Sequence, residues 1–104
     1  MMDQMQYLVY LHSLGVSHKK LHTIFEHQQN YKEVYNSIGR EYLQKWYKKN
    51  ESIEKIVSQK EVFLEEIIDK KLQEHDVEVI TFFDSSYPKL LKELSSPPFF
   101  LYIK

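Results

Sequence analysis

The chain has no cysteine, which excludes disulfides, thiolate nucleophiles and thiolate metal ligands. Glycine occurs only twice in 104 residues, too rarely for a loop whose backbone cradles phosphates. No apolar run approaches the roughly 18 residues of a membrane span. No secretory signal opens the chain, so a cytoplasmic protein without membrane contact is the expectation. Neither sign of charge dominates: 14 basic residues stand against 15 acidic ones, for a net charge of −1. That balance offers no global attraction to nucleic acid or to an anionic membrane, and binding of either kind must rest on a local patch. No nucleophile is placed beside a base, no internal repeat occurs, and neither an enzyme nor a cofactor or metal is expected.

What is present is aromatic. Eight Tyr, six Phe and one Trp make 14% of the chain, so much of the core should be ring packing. A fold of 12.6 kDa buries roughly 65% of its unfolded surface, enough for one modest core. Helical periodicity runs through the first three quarters. Residues 4–14 place Tyr7, Leu8, Leu11 and Leu14 on one stripe. Gly15 ends that helix, and Ser17 is placed to cap a second over about 18–27, with Leu21, Ile24 and Phe25 inward. Asn30, with Glu33 three positions on, approximates a capping box for a third helix carrying Tyr31, Val34, Tyr35 and Ile38. Gly39 precedes a fourth with Leu43, Trp46 and Tyr47. Ile53, Ile56, Val57, Leu64, Ile67, Ile68 and Leu72 keep the period to about residue 75, and Ser58-x-x-Glu61 suggests a division into two helices. The expected core includes Leu8, Leu11, Ile24, Phe25, Val34, Leu43, Trp46, Ile56, Leu64 and Ile67.

The pattern changes near His75-Asp76. Val77, Val79 and Ile80 are β-branched, as strands prefer. Asp84-Ser85-Ser86 is turn chemistry, and Pro88 suits the first turn of a helix carrying Leu90, Leu91 and Leu94. Pro97-Pro98 ends that helix. Phe99 to Ile103 reads as a strand buried on both faces. A helical crossover normally joins parallel strands, so this stretch reads as the first strand-helix-strand of a larger α/β sheet. The fold class is mainly α: a helical unit over 1–75, then the start of an α/β unit over 76–104.

The order Asp84-x-x-Tyr87-Pro88-x-x-Leu91, a spacer, Pro97-Pro98 and Phe100-Leu101-Tyr102-Ile103-Lys104 resembles the DNA-processing protein A family (DprA, also called Smf) of bacteria. The match covers about a quarter of the chain and departs from the family at Ser96, where Asp often precedes the prolines. The resemblance implies a small sterile-alpha-motif-like or helix-hairpin-helix-like N-terminal domain, then a Rossmann-like domain of which this chain holds the truncated start. It implies a mediator of natural transformation and recombination that binds single-stranded DNA and helps load the RecA recombinase, without catalytic turnover. The main DNA-binding and self-association surfaces then belong to the Rossmann-like domain, and residues 1–75 are an accessory. Self-association through the C-terminal strands is a further expectation. A helical protein-interaction module with no DNA role is the competing class.

Four clusters are candidate sites. Gly15, Ser17, Lys19 and Lys20 resemble a helix-hairpin-helix turn, which offers backbone N–H groups to a DNA phosphate. Ser17 stands where a second glycine is usual, and an ordinary capped helix–helix turn accounts for the same residues. Arg40, Lys45, Lys48 and Lys49 surround Tyr42, Trp46 and Tyr47, the cations and rings that single-stranded DNA needs. Helical spacing, however, turns Leu43, Trp46 and Tyr47 toward a core. His18, His22 and Glu26 share a helix face, as metal ligands or as a solvated surface. Glu61, Glu65, Glu66 and Asp69 alternate with Lys60, Lys70 and Lys71, as solvated helices do.

Overall fold

The computed structural model describes residues 5–26 and 30–103. Gln4, His27 and Lys104, which the sequence assigns to the first two helices and the last strand, lie outside the described residues. Among the described residues, seven helices and two strands follow in order: α1 Gln6–Ser13, α2 His18–Phe25, α3 Tyr31–Ser37, α4 Arg40–Leu43, α5 Asn50–Val62, α6 Glu65–Glu74, β1 Glu78–Thr81, α7 Lys89–Lys92 and β2 Phe100–Ile103.

Local chemistry sets the helix ends. Gly15 has φ of +112°, a left-handed conformation that costs a side chain dearly and glycine little. This lets the Gly15 N–H reach the His12 carbonyl at 3.0 Å and the Val16 N–H reach the Leu11 carbonyl at 3.2 Å. That pair of bonds is a Schellman ending, and buried Val16 and Leu11 supply its apolar contact. Ser17 then caps α2, its Oγ accepting from the Lys20 N–H at 3.2 Å. Asn30 caps α3 in the same way, through the Glu33 N–H at 3.0 Å. Together these devices turn the chain sharply, so that α1 and α2 can bury Leu8, Leu11, Leu21, Ile24 and Phe25 completely.

The long periodic stretch is two helices, but Ser58 does not divide them. It lies inside α5, and the break falls at Phe63 and Leu64, both extended. Two extended residues reset the helical phase. Phe63, Ile68 and Leu72 consequently pack on the core, while Leu64 and Ile67, expected inside, are 62% and 50% exposed. Trp46, also expected inside, is half-buried at the end of the turn after α4.

The strand pair corrects a second expectation. β1 and β2 run antiparallel, with Glu78 opposite Ile103 and Thr81 opposite Phe100. A parallel return requires a crossover that carries the chain back along the whole strand. The four-residue α7 spans about 6 Å, roughly half the ~13 Å of a four-residue strand. The chain therefore re-enters the sheet beside the end of β1 and runs back. Nor is β2 buried on both faces: Phe99 and Phe100 are sealed, whereas Tyr102 is 53% and Ile103 41% exposed.

Phe99 and Phe100 belong to the same core cluster as the helices. The Phe99 ring stacks on Phe25 of α2 with centroids 5.5 Å apart, and Phe100 packs on His18 at 4.9 Å. The strand pair thus sits on the α1–α2 side of the helical core.

Candidate nucleic-acid interface

The Gly15–Lys20 turn and the loop after α4 are distant in sequence but meet in the fold, and Lys20 joins them. Its Nζ donates to the Trp46 carbonyl at 2.5 Å and lies 4.9 Å from the centre of the Tyr47 ring, a favourable cation–π placement. A small cavity of about 180 Å³ adjoins the junction, lined by Gly15, Tyr47, Ser52, Lys55 and Ile56. Lys55 is a residue the sequence did not single out. On its own helix it reads as one more solvated lysine, and only the fold brings it to the glycine turn.

The cations are not equivalent. Arg40 donates through Nε and Nη2 to both carboxylate oxygens of Glu54, at 2.5 and 2.7 Å. This two-point bond holds the Glu54 carboxyl below its usual range and raises the guanidinium. Arg40 is therefore paired with a neighbouring carboxylate, in an ion pair whose side chains are 60% and 50% exposed. Lys45 lies over the Tyr42 ring at 5.4 Å. Lys19, Lys48 and Lys49 are exposed.

The rings are only partly available. Trp46 and Tyr47 are half-buried and packed against the core. Trp46 Nε1 and the Tyr47 hydroxyl are buried without a hydrogen-bond partner, and burial pushes the Tyr47 phenol upward. A half-buried ring gives a base little stacking surface. The region can supply point charges for phosphates but not a row of open aromatic faces.

The other two clusters have structural duties. His18 and His22 do not converge on a common point: Nδ1 of His18 accepts from the Phe99 N–H at 3.0 Å, and Nε2 of His22 is 2.7 Å from the Pro97 carbonyl. Among the described residues, no group of three His, Asp or Glu side chains could hold a metal. On α6, Glu65 accepts from the Tyr35 hydroxyl at 2.7 Å, and Asp69 accepts from the Tyr10 hydroxyl. Burial, and then these carboxylates, raise both phenols. The acidic run is thus a docking rail for tyrosines of α1 and α3, which helical alternation alone does not disclose. Lys60 likewise does more than solvate a helix, donating at 2.6 Å to the carbonyl of Tyr35 in the last turn of α3.

The C-terminal motif residues bond to one another. Asp84 Oδ2 accepts from the Thr81 N–H at 2.6 Å, closing the turn after β1. The buried Tyr87 hydroxyl donates to the Pro98 carbonyl at 2.6 Å, tying the Tyr-Pro element to the Pro-Pro corner. Pro88 stands at the cap of α7, Leu91 is half-buried, and the Tyr102 ring meets Phe100 edge-on at 5.5 Å. Elsewhere an open groove of about 570 Å³ lies between α1, α6 and β1, lined in part by Asp69, Asp76 and Glu78. Its lining carries no cation, so it does not extend the basic surface. No helix among the described residues is long and apolar enough to cross a membrane.

Comparison with protein families, with curated proteins and with solved structures finds no match.

Proposed function

We propose that this chain is the N-terminal portion of a DprA-like mediator that binds single-stranded DNA in the cytoplasm and helps load RecA. In this reading residues 1–75 act as an accessory domain, in the sterile-alpha-motif-like or helix-hairpin-helix-like role. The main DNA surface lies outside the described residues. The observation that carries the reading is the interlocking of the motif: the Tyr87 N–H donates to the Asp84 carbonyl, and the Tyr87 hydroxyl donates to the Pro98 carbonyl. Residues matched by their order in the sequence are thereby joined as one structural unit.

The accessory's own DNA contact is weak and centres on Lys19, Lys20, Lys48, Lys49 and Lys55. Arg40 shares its charge with Glu54, and the net charge of −1 gives no long-range pull. A few phosphate contacts without open stacking rings correspond to a Kd on the order of 10⁻⁴–10⁻⁶ M, steeply dependent on salt. Fluorescence anisotropy with an oligothymidine at two salt concentrations tests this. Weak binding that falls with added salt supports the reading. Nanomolar binding would overturn the accessory role and place the DNA site in the helices.

A protein-contact module with no DNA role is the second reading, favoured by the exposed Val62, Leu64 and Ile67 around the α5–α6 junction. Binding to a protein partner, with no oligothymidine binding at any salt, would decide for it. The outer edge of β2 exposes Tyr102 and Ile103, which would support self-association.

A further inference from the structure

Three histidines from the hairpin hold the C-terminal segment. His12 of α1 and His18 of α2 pack at a tilt with centroids 4.5 Å apart, and Phe100 closes on both rings, at 5.7 and 4.9 Å. His22 packs edge-on against Phe99 at 5.1 Å and Phe82 at 4.9 Å, with its Nε2 on the Pro97 carbonyl. The contact of greatest consequence is the Phe99 N–H donating to Nδ1 of His18 at 3.0 Å. A backbone N–H can only donate, so Nδ1 must be bare and the ring neutral, with its proton on Nε2. A protonated imidazole has donors at both nitrogens and would face the Phe99 N–H donor to donor.

From this geometry we infer that His18 is a pH-operated clasp, which holds Pro97–Phe100 on the helical hairpin when neutral and releases the segment when protonated. The neighbourhood reinforces the device. Around His18, α1 contributes His12 and α2 contributes His22, with Glu26 two turns away at the C-cap of α2. The segment itself brings no ionisable side chain between Pro97 and Phe100. Lys92 of α7 lies over Phe82, the ring that packs on His22, at 5.2 Å. Burial, then the charges of His12 and His22, lower the His18 pKa from its ordinary 6.5.

The sign follows from linkage. A histidine whose folded-state pKa is depressed takes up a proton more readily once released. Its contribution to holding the segment is complete above about pH 6.5 and is lost as the pH falls from there through the lowered folded value. Across that interval opening increases by up to about tenfold per pH unit.

The test uses the 104-residue chain. Amide exchange of Phe99 and Phe100, corrected for intrinsic rate, is followed between about pH 7.5 and 5, beside the titration of the His18 ring by NMR. The expected result is loss of protection at both amides on acidification, with a midpoint shared with the His18 ring, while amides of Leu11 and Ile24 stay protected. His18→Asn, whose Oδ1 accepts but does not titrate in this range, should keep the segment closed at the lower pH. Protection that does not change with pH would overturn the proposal, as would a His18 midpoint separate from that of the Phe99 amide. Acid opening of His18→Asn equal to that of the natural chain would do the same. If His18→Asn fails to fold, the paired midpoints of the natural chain decide alone.

Discussion

The first five helices and the remainder of the chain are stabilised in different ways. Between Leu8 and Ile56 buried residues recur on every helix, and Leu8, Leu11, Leu21, Phe25, Val34 and Leu43 are wholly sealed. From α6 onward, neither α6 nor α7 has a buried residue. There the chain is held by partly buried Ile68, Leu72, Val79 and Phe82 and by a few stronger points: the tyrosine–carboxylate bonds of α6, Thr81, Tyr87, Phe99 and Phe100. The lesson is that a small domain can dock a poorly buried segment through a handful of aromatic and polar anchors. Most side chains between those anchors, including Leu90 at 79% exposure, are energetically spare. Such a division also concentrates adjustable chemistry, the His18 contact among it, in the sparsely buried part.

The contrast can be broken by substitution. Phe25→Ala, at the centre of the sealed half, should cost about 3–5 kcal/mol, read as a shift in denaturant midpoint. Tyr87→Phe should cost about 1–3 kcal/mol, because the ring stays but the Pro98 carbonyl loses its donor. Equal stability would show that this anchor is decorative. Leu64→Ala should change stability by no more than about 0.5 kcal/mol. A core-sized loss there would mean that the α5–α6 junction packs in the phase the uninterrupted period predicts.

The caps and the sealed half were legible because their causes are local. A glycine needing positive φ, Ser17 and Asn30 bonding three residues ahead, and apolar positions at helical spacing act within a turn or two of chain. The phase reset at Phe63–Leu64 was not legible, since neither residue is a helix breaker and each continues the apolar period. The direction of β2 depends on how far α7 runs before the Pro-Pro corner, and the expected helix was longer than the single turn formed. In the candidate interface, the exposed lysines could be named from sequence. The pairing of Arg40 with Glu54 follows from how α5 meets α4, and the approach of Lys55 to Gly15 from how α5 lies on the hairpin. The tyrosine–carboxylate rail is of the same kind, linking α6 to helices 30 and 59 residues away.

That Phe99 joins the C-terminal segment to the helical core is the claim on which the rest depends. Thermal unfolding of Phe99→Ala, followed by fluorescence of Trp46, tests it most directly. Trp46 is the only tryptophan and lies in the turn after α4. Losing a fully buried ring should cost about 3–5 kcal/mol. At roughly 4–8 °C per kcal/mol for a domain of this size, the Trp46 midpoint should fall by more than about 10 °C. A midpoint unchanged from the natural chain would contradict the account, showing that the helices fold without reference to the segment that rests on them.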